Sequence, residues 1–263
     1  MNRVQCVVFL VLLNLGFTGI VSAGVLKIAT LAPEGSEWML EHRAAATKVK
    51  ELTEGRLTLK FYGGGVMGND KKVLRKMRIG QLQGAAFSTS GLMERYPDII
   101  LYGLPCVFRS QAEVDYTREL FDARLIAGLR DAGFVSFGFA GGGFASFMSS
   151  DPISEHAALK GIKIWVPEGD VIRYTPLEVI GLSPVVLPLS DVLTGLQAGL
   201  LDAIVTPPSA ALLLQWYTKM KYINPMPVSY TMGIIALDER AYDRLSPADQ
   251  KVLKDVFAET YAR

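Results

Sequence analysis

Cysteine and histidine are nearly missing from this chain, with two of each in 263 residues. Cys6 falls in the extreme N-terminal segment, so Cys106 stands alone in whatever follows it, and no disulfide framework can hold the fold. Cys106 sits in Leu104-Pro105-Cys106-Val107-Phe108 and reads as a small buried hydrophobe rather than a nucleophile, since only His42 and His156 could serve it as a base. There is no surplus of one charge either. Lys plus Arg number 27 and Asp plus Glu 26, a balance that gives no electrostatic basis for gripping nucleic acid or an anionic membrane. His-Glu-x-x-His, Cys-x-x-Cys and Gly-x-Ser-x-Gly are all absent. Gly63-Gly64-Gly65 and Gly141-Gly142-Gly143 lack the lysine and hydroxyl of a phosphate-binding loop and read as structural turns. The expectation is a protein that is not an enzyme and that carries neither metal nor cofactor.

What is present begins with an export signal. Asn2-Arg3 is a short positive start, residues 4–20 are apolar, and Val21-Ser22-Ala23 fits the small-residue cleavage pattern, with cleavage after Ala23. An uncleaved anchor helix is the alternative, and the shortness of the run argues against it. No later run is long and apolar enough to span a membrane, so the mature chain is expected in the periplasm. Half of the residues are hydrophobic and a fifth charged, the composition of a globular chain with a sizeable core.

The mature sequence alternates strands and helices. Strands are predicted at 25–31, 56–62, 84–88 and 134–139, with helices from Ser36 to about 54, from Asn69-Asp70 through 78, and over 111–132. Residues 162–166, 183–187 and 203–205 form further strands separated by helices at 170–180 and 189–200, the rhythm of a parallel sheet flanked by helices. Gly141-Gly142-Gly143 suits a crossing between two lobes. Residues 210–219 read as helix, 224–237 as an extended segment returning to the first lobe, and Ser246-Pro247 as a final helix start. The division predicted is 24–140 plus about 226–245 for one lobe and 141–225 for the other. Residues 246–263 are read as the start of a C-terminal interlobe helix in a chain cut inside or just after it.

In open α/β sheets ligands sit beyond the carboxyl ends of the strands. Here those loops carry Trp165-Val166-Pro167-Glu168-Gly169, Leu187-Pro188-Leu189-Ser190 and Thr206-Pro207-Pro208, which are apolar for a site facing water, beside the polar loop Ser88-Thr89-Ser90-Gly91.

The segments IATLAPEGSEW, LKGIKIWVPEGD, LPLSDVLTGLQAGLLDA and LDERAYDRLSPADQ resemble the extracytoplasmic receptors of tripartite ATP-independent periplasmic (TRAP) transporters, the DctP family. The resemblance implies an α/β fold of two lobes joined by hinge strands, an interlobe cleft, and delivery of a small molecule to a membrane permease. It also shows departures. Where most of the family has an arginine that clamps a substrate carboxylate, this chain has Trp165. Phe144 stands in place of a second arginine, Thr206 in place of an asparagine, and Leu189 in place of an aromatic residue. The pattern is similar to a subset that works with a tetratricopeptide-repeat protein and handles hydrophobic ligands.

The site expected from this reading consists of Trp165, Phe144 and Leu189 as apolar walls, Thr206, Ser88 and Ser90 as orienting hydroxyls, and Trp38 from the first motif. Trp165 packed inward as core is the alternative. The ligand expected is apolar or amphipathic. A carboxylate held by another cation, Arg173 or Arg95, is the second reading, and a ligand-presenting sensor without transport is the third.

Overall fold

The computed structural model describes residues 24–153, 155–168 and 170–261. The signal segment and its cleavage point, with Ser154 and Gly169, lie outside the described residues. Nine strands form one mixed sheet: β1 (Gly24–Ala29), β2 (Leu57–Tyr62), β3 (Gly84–Ser88), β4 (Phe134–Val135), β5 (Ala140–Ser149), β6 (Lys163–Pro167), β7 (Ser183–Leu187), β8 (Ala203–Thr206) and β9 (Tyr222–Asp238). The helices are α1 (Glu37–Leu52), α2 (Asp70–Arg78), α3 (Thr89–Leu92), α4 (Gln111–Asp131), α5 (Val171–Val179), α6 (Val192–Gln197), α7 (Pro208–Leu213), α8 (Glu239–Asp243) and α9 (Pro247–Tyr261). Short polar side chains start several of them. Ser36, Asn69, Ser110 and Asp238 each accept a backbone N–H of the first turn, which satisfies a donor that the helix cannot use itself.

The strand order is β2-β1-β3-β9-β5-β8-β6-β7, with β4 added beside β9. Pairing is parallel at each end, β1 with β2 and β3, and β6 with β7 and β8. In the middle β5 and β9 run antiparallel to each other and to the flanking strands β8 and β3. Two βαβ-type halves therefore hang on one long antiparallel pair. Hydrophobic cores follow the same division. Two clusters gather residues from 26–139 and 230–257, centred on Ile28, Phe87, Tyr102, Leu129 and Phe257. Two others gather residues from 148–216, centred on Trp216, Ile204 and Ile164.

Several expectations shift. The 183–187 strand is not buried: as β7 it closes one edge of the sheet and is half exposed. The 134–139 strand shrinks to two residues, and a 3₁₀ turn over Pro97–Gly103 was not foreseen. The 210–219 helix breaks at Gln215, whose φ is 60°, and resumes as a single turn at Trp216–Thr218. Cys106 is exposed rather than buried, on a backbone with φ 59°. The described part of the final helix, α9, buries Leu253, Val256 and Phe257 in the cluster that holds Met39 and Val49 of α1. Tyr261 at its end accepts the N–H of Ile235 at 3.2 Å, and burial pushes its phenol up to about 12.

The crossing strands are irregular where the sequence is richest in glycine. The β5–β9 register shifts between Gly141 and Gly143 and again between Ala145 and Phe147. Extra residues of this kind bend a strand and sharpen its twist. Gly143 has φ 90°, a conformation that a side chain strains, and a methyl on Gly141 would meet the Tyr230 hydroxyl at 2.6 Å. Gly143→Ala should accordingly destabilise the protein by about 1–2 kcal/mol. Urea unfolding checks this, and an unchanged midpoint would mean that the strand relaxes at no cost.

Candidate functional site

The ends of β3, β6 and β8 bring Ser88, Pro167 and Thr206 to one place. Around them lies a cavity of about 170 Å³. Asn69, Asp70, Lys71, Ser88, Ser90 and Glu94 line it from the first half of the sheet. Trp165, Glu168, Arg173, Leu189, Thr206 and Trp216 line it from the second half, and Ala145, Ser229 and Thr231 come from the crossing strands. Five of the seven residues expected at the site are thus brought together: Trp165, Leu189, Thr206, Ser88 and Ser90.

Trp38 and Phe144 are not in the cavity wall. Trp38 lies in the first turn of α1 and stacks on His42 one turn later, with ring centroids 3.7 Å apart. The His42 ring is buried, with Nδ1 2.7 Å from the Trp38 carbonyl, and burial lowers its pKa. Phe144 pairs with Tyr230 across β5 and β9 and meets its ring edge-on at 5.1 Å, packed against the first-half core. The physical reason is that Phe144 lies inside β5 rather than in a loop after a strand, where its pairing with Tyr230 holds it on the face that packs against the first-half core. Arg95 is also elsewhere, in a polar basin with Arg75, Arg78 and Arg240.

Trp165 unites the two roles that sequence reasoning held apart. On β6, Ile164, Trp165 and Val166 are all buried, as in a strand covered on both faces. The indole is 8% exposed, packs on Trp216 at 5.2 Å with its ring steeply inclined, and donates Nε1–H to the Leu187 carbonyl at 2.9 Å. One edge belongs to the core, and the residue still forms part of the cavity wall.

The polar part of the site is a set of bonds across the cleft. Asn69 donates to Glu168 at 3.1 Å, and Lys71 pairs with the same carboxylate at 3.2 Å. Ser90 donates to Asp170 at 3.4 Å. Asp170 caps α5 by accepting the Arg173 N–H at 3.1 Å, and its fully buried carboxylate pairs with the Arg173 guanidinium at 3.0 Å. Arg173 also reaches the Gly103 carbonyl of the first half at 3.4 Å. Sequence reasoning noted Asn69 and Asp70 as helix starts and Glu168 as part of a loop, but nothing in their spacing announces that they meet.

Four carboxylates crowd this region, from Asp70, Glu94, Glu168 and Asp170, against the cations Lys71 and Arg173. Asp70 registers the imbalance. Burial first, and the Glu168 charge second, push its pKa up to about 6. The packing is tight: a methyl built on Gly91 would lie 2.5 Å from its Oδ2.

Residues 28–263 match the family model of the bacterial extracellular solute-binding proteins, family 7. The 2,3-diketo-L-gulonate-binding periplasmic protein YiaO of Escherichia coli is 24% identical over 207 residues, which cover 78% of this chain and 63% of that one. The sialic acid-binding periplasmic protein SiaP of Vibrio cholerae is 23% identical over 241 residues, covering 89% of this chain and 73% of that one. Among solved structures, a TRAP periplasmic solute-binding protein of Pseudomonas putida with bound D-glucuronate superposes with a TM-score of 0.83 at 21% identity, over 90% of this chain and 78% of that one. The chain thus spans a little under two thirds of YiaO's length. The superposition bears out the two-lobed α/β fold.

Two outcomes are expected from the geometry. Trp165→Phe keeps the ring packing and removes the donor to Leu187, costing about 1 kcal/mol in urea unfolding. Trp165→Ala should cost about 3–5 kcal/mol, on the scale of a cavity in the core, so it is a poor probe of ligand contact. Asp70 holds its proton more strongly in the folded protein, from an ordinary value of 3.8 to about 6. Its contribution is therefore greatest below pH 4 and is lost as pH rises through 6, by about 2–3 kcal/mol. Asp70→Asn should remove that slope and gain on the wild type between pH 4 and 7. Parallel stability profiles of the two proteins would refute it.

Proposed function

The chain belongs to the bacterial extracellular solute-binding proteins of family 7, and we propose that it captures an organic acid with a single carboxylate and an apolar body. The family is one of binding proteins rather than enzymes. The reading that carboxylates are recognised is supported by what the relatives are named for or hold: diketogulonate, sialic acid and glucuronate are all acids. Of the apolar or amphipathic ligand that Trp165 suggested, it keeps the amphipathic form and sets aside the one without a charge.

The observation that carries the proposal is Arg173. Among the described residues lining the cavity the cations are Lys71 and Arg173, and Lys71 is engaged by Glu168. A guanidinium has five N–H donors, more than its two protein partners, Asp170 and the Gly103 carbonyl, take up. It can therefore accept a ligand carboxylate while Asp170 fixes its orientation. A second carboxylate on the ligand would face Asp70, Glu94 and Glu168, and like charges at such range are costly in a partly desolvated cleft. Trp165, Leu189 and Trp216 then suit the uncharged remainder of the molecule.

In the wider reading, export follows cleavage after Ala23, residues 24–140 with about 226–245 form one lobe, and 141–225 form the other. The β5–β9 pair serves as the hinge, and the closed receptor hands its ligand to a TRAP permease. The bonds from Asn69, Lys71 and Ser90 to Glu168 and Asp170 are the contacts that closure would make. A sensor that presents ligand without transport would use the same cleft. A periplasmic tetratricopeptide-repeat protein belongs to this wider reading as a further partner.

Titration calorimetry with succinate, butanoate, phenylacetate and phenylacetamide tests the ligand class. Phenylacetate should bind more tightly than succinate and at least tenfold more tightly than its neutral amide. Arg173→Gln should weaken the acid about 10–100-fold, the scale of a charge-assisted pair, and leave the amide near its wild-type Kd. Equal binding of acid and amide would overturn the carboxylate reading.

A further inference from the structure

Behind Arg173 the structure opens a second and larger recess, of about 790 Å³. Its walls are formed by Phe147, Leu159, Leu177, Ile180, Leu182 and Ile223, from β5, β9, α5 and the segments flanking β6 and α5. It is not a separate place on the surface, because Trp165, Pro167, Arg173, Val205 and Ser229 line both it and the cleft. Among the described residues its charged groups are Arg173, at that shared boundary, and Glu155.

Helix α5 shows that this space is an unfilled part of the fold's apolar design. Its sequence Val-Ile-Arg-Tyr-Thr-Pro-Leu-Glu-Val is largely apolar, yet none of its residues is buried. Leu177 and Phe147 pack only partly against the small cluster of Ile164, Leu182 and Ala203. A helix on a sheet normally buries one stripe, and here that stripe borders the recess. The cleft alone is the smaller of the two volumes. At about 170 Å³ it falls below the 300–1,000 Å³ of ordinary small-molecule sites, whereas the recess lies within that range.

We infer that the recess is the subsite for the apolar chain of the ligand, with the carboxylate at Arg173 and the chain running past Trp165 between α5 and β9. The inference rests on the carboxylate reading above and extends it to a class, the medium-chain monocarboxylic acids. Charge supports this occupant: one cation stands where the two volumes join, and apolar walls extend away from it. A sugar acid would find Ser149, Asn224 and Ser229 in the lining, but its hydroxyls turned toward Leu177, Ile180 and Ile223 would lack partners, which is costly.

The test uses butanoate, hexanoate, octanoate and decanoate, with decanol as the uncharged control, against wild type, Arg173→Gln and Ile180→Glu. Ile180 is 46% exposed, so its replacement spares the folded core, and circular dichroism checks that the variant is native. Affinity should rise about threefold per methylene from butanoate to decanoate, somewhat below full burial. Ile180→Glu should weaken decanoate at least tenfold and leave butanoate unchanged. A flat chain-length series with butanoate bound through Arg173 would overturn the recess and spare the carboxylate reading. Equal binding of decanol and decanoate, both lost in Ile180→Glu, would support the recess and remove the carboxylate. Failure of every probe to bind overturns both.

Discussion

Everything in this protein hangs on one antiparallel pair. β5 and β9 are the elements that belong to both halves of the sheet, and each half is otherwise a parallel unit that closes on its own core. A 17-residue strand such as β9 is long for a globular protein, and it can be long because it changes neighbours along its course. Its first part pairs with β5 beside the second half, and its last part pairs with β3 and β4 in the first. Along β5 the register shifts twice, and the strand sends Ala145 to the cleft and Phe144 to the first-half core.

The electrostatics of the cleft follow from that joint. Loops from both halves meet there, and the acids they bring exceed the bases. The structure handles the excess in three ways. Glu168 takes a lysine and an asparagine, Asp170 takes the guanidinium and a helix end, and Asp70 retains its proton more readily than an ordinary aspartate. In the proposed carboxylate reading, Arg173 is held in place by a buried partner before any ligand arrives, which would lower the ordering cost of recognition.

The sequence was legible where local chemistry decides the outcome. Ser36, Asn69 and Ser246-Pro247 mark helix starts because a capping side chain or a proline suits the first turn whatever surrounds it. β3 is found residue for residue because a short small-and-apolar run is bounded by turn formers. The strand-end rule named Ser88, Ser90, Trp165, Leu189 and Thr206, and all five line one cavity. It does not reach Phe144, which lies inside β5 against Tyr230, or Trp38, which the first family motif named and which stacks on His42 one helical turn away. It could not divide Trp165 between core and site, because a strand covered on both faces shows no alternation to read. The acidic wall was invisible for another reason: Asp70, Glu94 and Glu168 come from elements far apart in the chain.

Cys106 carries a practical consequence. Among the described residues it is the one cysteine, exposed, on the rim of the apolar recess, with its backbone N–H bonded to the Val228 carbonyl of β9 at 2.7 Å. If cleavage after Ala23 removes Cys6, a chain with this one exposed thiol at such a seam can be labelled stoichiometrically with an environment-sensitive dye, without mutagenesis. The fluorophore would sit where the first half of the molecule meets the strand that carries the second. Its emission would report whether the proposed ligand fills the recess and whether the halves move, which turns an accident of composition into a built-in optical gauge.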